Sequence, residues 1–248
     1  MADVNRPLRR RIGAIARLTV RRVIDRERVD DLLDWARMKI DVWGAADYQP
    51  VSPAEPAGAV ADRAVGTLSR WSAIEPVVEE LSVRSAVDIG CNVGWFARSL
   101  AERGIATVGV ESHPPLYRTA MYVARKYGGG HMTVLPLTVS PDTVALVPHT
   151  DCTVFLAVWH HIVRYQGRNA ADTVLRRLWS ATGRVLFFET GEAGEMPESY
   201  GLPQMAPNPR AWLEDYLRST CEGAELRHLG LHPSSASYRR NLFAVVRA

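Results

Sequence analysis

The rhythm of apolar and polar positions changes once along this chain. Before residue 82 the spacing is helical. Ile12, Ile15, Thr19 and Val23 recur every three or four residues among arginines, which predicts a basic amphipathic helix over Leu8 to Ile24. Leu32, Leu33, Trp35, Ala36, Met38 and Ile40 predict a second helix over Val29 to Val42, ended by Gly44. Pro50, Pro53 and Pro56 mark residues 45–58 as an irregular linker. A third helix is predicted from about Asp62 to Leu81, with Pro76 breaking it into two pieces.

From Ser85 onward short apolar runs alternate with helical stretches. Strands are predicted at 85–90, 106–111, 132–136, 152–158 and 184–189. Between them lie helices at 94–103, from Pro114 to the Gly128-Gly129-Gly130 stop, and at 169–181. A further helix opens at Asn208-Pro209, with Asn as cap and Pro at the first helical position. Runs 224–230 and 241–247, separated by Pro233-Ser234-Ser235, close the chain as a hairpin. Alternation of this kind predicts an α/β fold: a doubly wound, seven-stranded, mostly parallel sheet with helices on both faces and one antiparallel strand near the C-terminus. The division predicted is a helical extension and linker over 1–81 and a sheet domain over 82–248.

The chemistry concentrates where the first strand turns into its helix. Val87-Asp88-Ile89 runs into Gly90-Cys91-Asn92-Val93-Gly94, and the next strand ends in Glu111. Such a turn aims backbone N–H groups and the positive end of a helix at one point. Asn92 stands where a dinucleotide fingerprint often has its middle glycine, and Asn tolerates the left-handed backbone. Asp88 repels phosphate but suits an ammonium group. Glu111, at a strand end, suits a ribose diol. A nucleoside-containing ligand with a cationic end follows.

Asp88-x-Gly90-x-x-x-Gly94 resembles motif I of the class I S-adenosylmethionine-dependent methyltransferases, and the resemblance covers roughly residues 83–248. It implies S-adenosylmethionine as cofactor, held by Asp88, Gly90, Asn92, Gly94 and Glu111. It further implies Thr138 and Val139 beside the adenine and Ala157 at the end of the fourth strand as cofactor contacts. In this family the segment before the first strand often covers the cofactor, which makes Tyr48, Arg70 and Trp71 acceptor-site candidates.

His160 and His161 follow the fourth strand, at the sheet edge where open α/β folds bind ligands. Read as a turn, that stretch sends one imidazole to the pocket and lets the other pack. A neutral imidazole can take a proton from a hydroxyl. The pair is the candidate general base, and His160, one residue nearer the strand end, is the preferred member. Trp159, Glu189 and Tyr200 are candidate acceptor contacts; Glu189 ends the apolar run Val185 to Phe188, and Tyr200 lies in a long Gly- and Pro-rich stretch from Gly191 to Pro209. Adjacent histidines lack the i, i+4 spacing of a helical zinc pair, so no metal ligands are assigned.

Charge and composition narrow the partners. Residues 1–28 hold nine arginines against Asp3, Asp25 and Glu27, a net +6, while the whole chain of 248 residues is +3. The body is therefore slightly acidic and is no basic nucleic-acid platform. The basic helix suits an acidic surface (membrane lipid, RNA or a partner protein), or it is a solvated helix that packs against its own domain or a dimer mate. Three widely spaced cysteines, no signal-peptide core and no apolar run of the ~20 residues a membrane span needs lead to the expectation of a reduced, cytoplasmic protein. The leading reading is an O-methyltransferase acting on a hydroxyl of a small molecule such as a sugar, glycoside or other natural product. Two readings stand beside it. One is an RNA-modifying methyltransferase, although Trp159-His160-His161 occupies the place of the N-P-P-Y/F signature of base N-methylation. The other is a non-catalytic protein that retains the fold.

Overall fold

The computed structural model describes residues 49–50, 62–235 and 237–247. The two helices predicted before residue 43, most of the proline linker and Tyr48 lie outside the described residues.

Helix α1 (Asp62–Glu80) precedes the sheet. Then come β1 (Ser85–Ile89), α2 (Trp95–Ala101), β2 (Ala106–Val110), α3 (Pro114–Tyr127), β3 (Met132–Leu135) and β4 (Thr150–Leu156). These are followed by α4 (Trp159–Gln166), α5 (Arg168–Ala181), β5 (Thr182–Glu189), α6 (Pro209–Thr220), β6 (Ala224–Pro233) and β7 (Arg239–Arg247). The strands form one sheet in the order β3-β2-β1-β4-β5-β7-β6. Only β7 runs against its neighbours, pairing antiparallel with β5 and β6. This is the seven-stranded, doubly wound sheet that the alternation predicts.

The inner strands β1 and β4 are buried on both faces, as a parallel sheet flanked by helices requires. Side chains alternate between faces along each strand. Ile89, Phe155, Leu186, Phe188 and Phe243 belong to a core under α5 and α6. Ala86, Val154, Val185, Phe187 and Leu242 belong to another under α1 and α2, where Trp71, Ile74, Phe96 and Leu100 meet them. The alternation therefore puts Asp88 and Glu189 on the α1–α2 face, in line with Ala86 and with Val185 and Phe187.

Two local expectations are corrected. Helix α1 is continuous through Pro76. Its two halves are anchored by buried Ile74, Val77 and Val78, while Pro76 and Ser72, whose carbonyl the proline leaves without its usual donor, face solvent. The stretch Trp159-His160-His161 is no turn but the opening of α4, held by His161 N–H and Ile162 N–H bonding to the Val158 carbonyl. The reversal needed to leave the strand is made two residues earlier. Ala157 adopts φ 58°, left-handed for a residue with a Cβ.

Strand order changes direction between β1 and β4, which pair in register Ala86↔Cys152 to Asp88↔Val154. The loops after their carboxyl ends diverge to opposite sides, leaving a crevice at that switch point.

Candidate active site

The β1–α2 turn is built from three left-handed residues, Gly90 (φ 69°), Asn92 (φ 56°) and Gly94 (φ 83°). Asn92 stabilises it locally: its Oδ1 accepts the Val93 N–H at 2.8 Å. A Cβ on Gly90 would lie 2.5 Å from Val158 Cγ2, so the first glycine is required by the β4–α4 connection as well as by its backbone angle. Asp88 accepts the Ala97 N–H at 3.2 Å through Oδ2, satisfying one donor of the first turn of α2. Burial, with the Glu111 charge adding to it, lifts the Asp88 carboxyl from its ordinary 3.8 to about 7; the Ala97 bond opposes the shift.

Glu111 is drawn onto the same turn from β2. Its Oε2 accepts the Asn92 N–H at 3.0 Å and its Oε1 accepts the His113 N–H at 2.7 Å. Each carboxylate oxygen has two lone pairs, so acceptor capacity is left for a diol.

A cavity of about 580 Å³ opens over this turn and runs across the switch point to α4. Asp88, Gly90, Asn92, Glu111, Thr138, Val139 and Ala157 line it, and so do His160, His161 and Tyr200. Four sequence-predicted residues are not on its wall. Gly94 shapes the turn from behind, where a Cβ would meet Met132 Cε at 2.7 Å. Trp159 is fully buried in the core and donates its Nε1–H to the Tyr216 hydroxyl at 2.9 Å. Glu189 is fully buried beneath the wall. Trp71 is a core residue, whereas Arg70 reaches the cavity.

The two histidines differ. His160 is buried, and its Nδ1 accepts the Gly191 N–H at 2.8 Å, with the Thr190 hydroxyl oxygen at 3.2 Å from the same nitrogen. Burial, then the neighbouring His161 and Arg240, push its pKa down to about 2. His161 lies at the rim with its ring 4.3 Å from that of His160, stacks on Tyr165 and meets Tyr200. Its pKa is lowered by partial burial, Arg240 and Arg164. The Arg164 guanidinium bonds the Tyr200 hydroxyl at 2.9 Å and lies over both the Tyr165 and Tyr200 rings.

Below the histidines sits a buried ionic cluster. Arg70 forks onto Glu189, through Nε to Oε2 and through Nη2 to Oε1 at 3.0 Å. Arg240 reaches Glu189 at 3.6 Å and pairs with Glu195 at 2.7 Å. Burial works against the Glu195 charge, but the Arg240 bond prevails and holds its pKa low. Arg240, Glu195, Met196, Tyr165 and Gln49 all line the cavity without having stood out in sequence. Arg240 lies on the last strand and Glu195 in a loop, and no spacing relates them.

No protein-family model matches this chain, and no curated protein does. Solved structures do. The bifunctional kinase-methyltransferase WbdD superposes with a TM-score of 0.67 at 19% identity, over 84% of this chain and 45% of that one. Magnesium protoporphyrin IX methyltransferase from Synechocystis PCC 6803, solved with bound S-adenosylmethionine, matches at 0.57 and 16% identity over 91% of this chain and 99% of its own. EvdMO1 matches at 0.58 and 16% over 90% of this chain and 48% of its own. The chain thus spans less than half the length of the WbdD chains it resembles. What these likenesses share is the fold.

Proposed function

The class I methyltransferase fold is the premise from which we propose that this protein is an S-adenosylmethionine-dependent O-methyltransferase acting on a hydroxyl of a small molecule such as a sugar, a glycoside or another natural product. One observation carries the reading. A single cavity at the switch point has Asp88 and Glu111 on the glycine turn at one side and the His160–His161 pair at the other. Its residues fit the cofactor. Asp88 suits the ammonium group, Glu111 the ribose hydroxyls, Gly90 and Asn92 the close approach of the nucleoside, and Thr138 and Val139 the purine. Bound there, S-adenosylmethionine supplies an electrophilic methyl group on a cationic sulfur.

The chain's own work is to position and deprotonate the acceptor. A backbone N–H can only donate, so the Gly191 bond makes Nδ1 of His160 an acceptor and puts the ring proton on Nε2. A second proton there would create an imidazolium in a buried site near Arg240, which its lowered pKa opposes. His160 therefore serves as a neutral donor that orients the acceptor oxygen. His161, at the rim, is the base that takes the hydroxyl proton. Tyr200 and Tyr165 flank it and hold the acceptor. Orientation of the oxygen toward the donor's side of the cavity supplies much of the rate.

We assign the cofactor turn to the sheet domain over 82–248; from the stretch before it, Gln49, Thr67 and Arg70 line the cavity. Among the described residues no helix is long and apolar enough to cross a membrane. The three buried free cysteines suit a reducing cytoplasm.

Isothermal titration with S-adenosylmethionine and S-adenosylhomocysteine tests the cofactor site. Binding of both is expected. Absence of binding to either overturns the reading.

A further inference from the structure

Gln49 lies thirteen residues ahead of helix α1 in the chain, yet it reaches the heart of the site. It is 4% exposed, lines the cavity, and accepts the Trp95 N–H through Oε1 at 3.3 Å. The α2 N-cap position is Gly94, which offers no side-chain acceptor, so Gln49 serves as the cap from a distance. Asp88 takes the N–H of Ala97, two residues further along the same turn. The amide of Gln49 and the carboxylate of Asp88 therefore stand over one helical turn.

The direction of the Trp95 bond fixes the amide. An N–H can be received only by the amide oxygen, which leaves the NH2 group of Gln49 as the end with donors to offer. The ligand in question has a matching pair of groups. At its amino-acid end an α-ammonium and an α-carboxylate sit on one carbon. Asp88 suits the first. The second needs donors. Arg70, the side chain a carboxylate would ordinarily seek on this wall, commits Nε and Nη2 to the buried Glu189.

Resting on the proposed cofactor site, we infer that Gln49 is a binding residue for the α-carboxylate of the methyl donor, its NH2 group donating to that carboxylate while its oxygen caps α2. It is a specificity determinant for a complete amino-acid end.

The test compares S-adenosylmethionine with its decarboxylated analogue, which keeps the ammonium, by titration calorimetry on the full chain. Gln49→Glu retains an oxygen for Trp95 N–H, loses the donors and repels a carboxylate; Gln49→Ala removes both functions. Wild type should prefer the complete donor. In both variants that preference should fall by roughly tenfold, in keeping with one hydrogen bond to a charged group. An unchanged preference in both variants overturns the inference, and so does an equal loss of affinity for the two ligands, which would mark a purely structural cap. A wild type that binds neither ligand instead removes the cofactor reading on which the inference rests.

Discussion

The Nδ1 atom of His160 lies 2.8 Å from the backbone nitrogen of Gly191, a bond that sets its ring apart from that of adjacent His161. The bond leaves His160 neutral, with its proton on Nε2, and leaves His161 as the ring able to accept one. His161→Ala is expected to lower kcat by about 10²- to 10⁴-fold, the usual worth of a general base, with S-adenosylhomocysteine affinity unchanged. The base must be unprotonated, so the rate falls as pH falls through its pKa. With that pKa held below 6.5 by burial, Arg240 and Arg164, the acid limb of kcat should have its midpoint below pH 6.5 and should vanish in the variant. A pH–rate profile on both proteins decides this.

Gly191 itself is a packing requirement. A Cβ there would stand 2.7 Å from Met196 Cγ and 3.1 Å from His160 Cγ. Gly191→Ala should cost about 1–3 kcal/mol of stability, as overpacking does. Urea unfolding measures it, and the same variant should raise KM for the acceptor by displacing His160.

Glu189 holds Arg70 and comes within 3.6 Å of Arg240 with no exposure of its own. Glu189→Ala leaves buried guanidinium groups without that carboxylate, and breaking such a pair costs about 3–5 kcal/mol. Denaturant midpoints of the variant and wild type check the magnitude.

Asp88 gives two opposite dependences on pH. Its pKa in the folded protein is about 7 against an ordinary 3.8. A raised acid contributes stability that is full below the unfolded value and lost as pH rises toward the folded one, so this group makes the ligand-free protein less stable between pH 4 and 7. Affinity for a cationic ligand runs the other way and grows as Asp88 ionises near pH 7. Asp88→Asn should flatten both trends, read by thermal melts and by calorimetry at several pH values.

The cofactor side of the site was legible because it is local. Asp88, Gly90, Asn92 and Gly94 lie within one strand–turn–helix unit, and Glu111 ends the neighbouring strand. Their spacing alone brings them together once a parallel sheet is assumed. The acceptor side was not. Trp159, adjacent to the histidines in sequence, faces the core because α4 begins at that residue and turns it toward Tyr216. Gln49, Glu195 and Arg240 come from three distant stretches and meet only over the cavity.

By itself the sequence determined the strand–helix alternation, the seven strands, the one reversed strand and the glycine turn, since these follow from hydrophobic period and from backbone angles that few residues tolerate. Tertiary structure alone decided which face α1 covers. That choice turned Glu189 from an apparent ligand contact into the buried partner of Arg70. It also decided which imidazole nitrogen meets Gly191 N–H. A hydrogen bond between residues thirty-one positions apart leaves no periodic trace in a chain, because its geometry exists only after the sheet has closed.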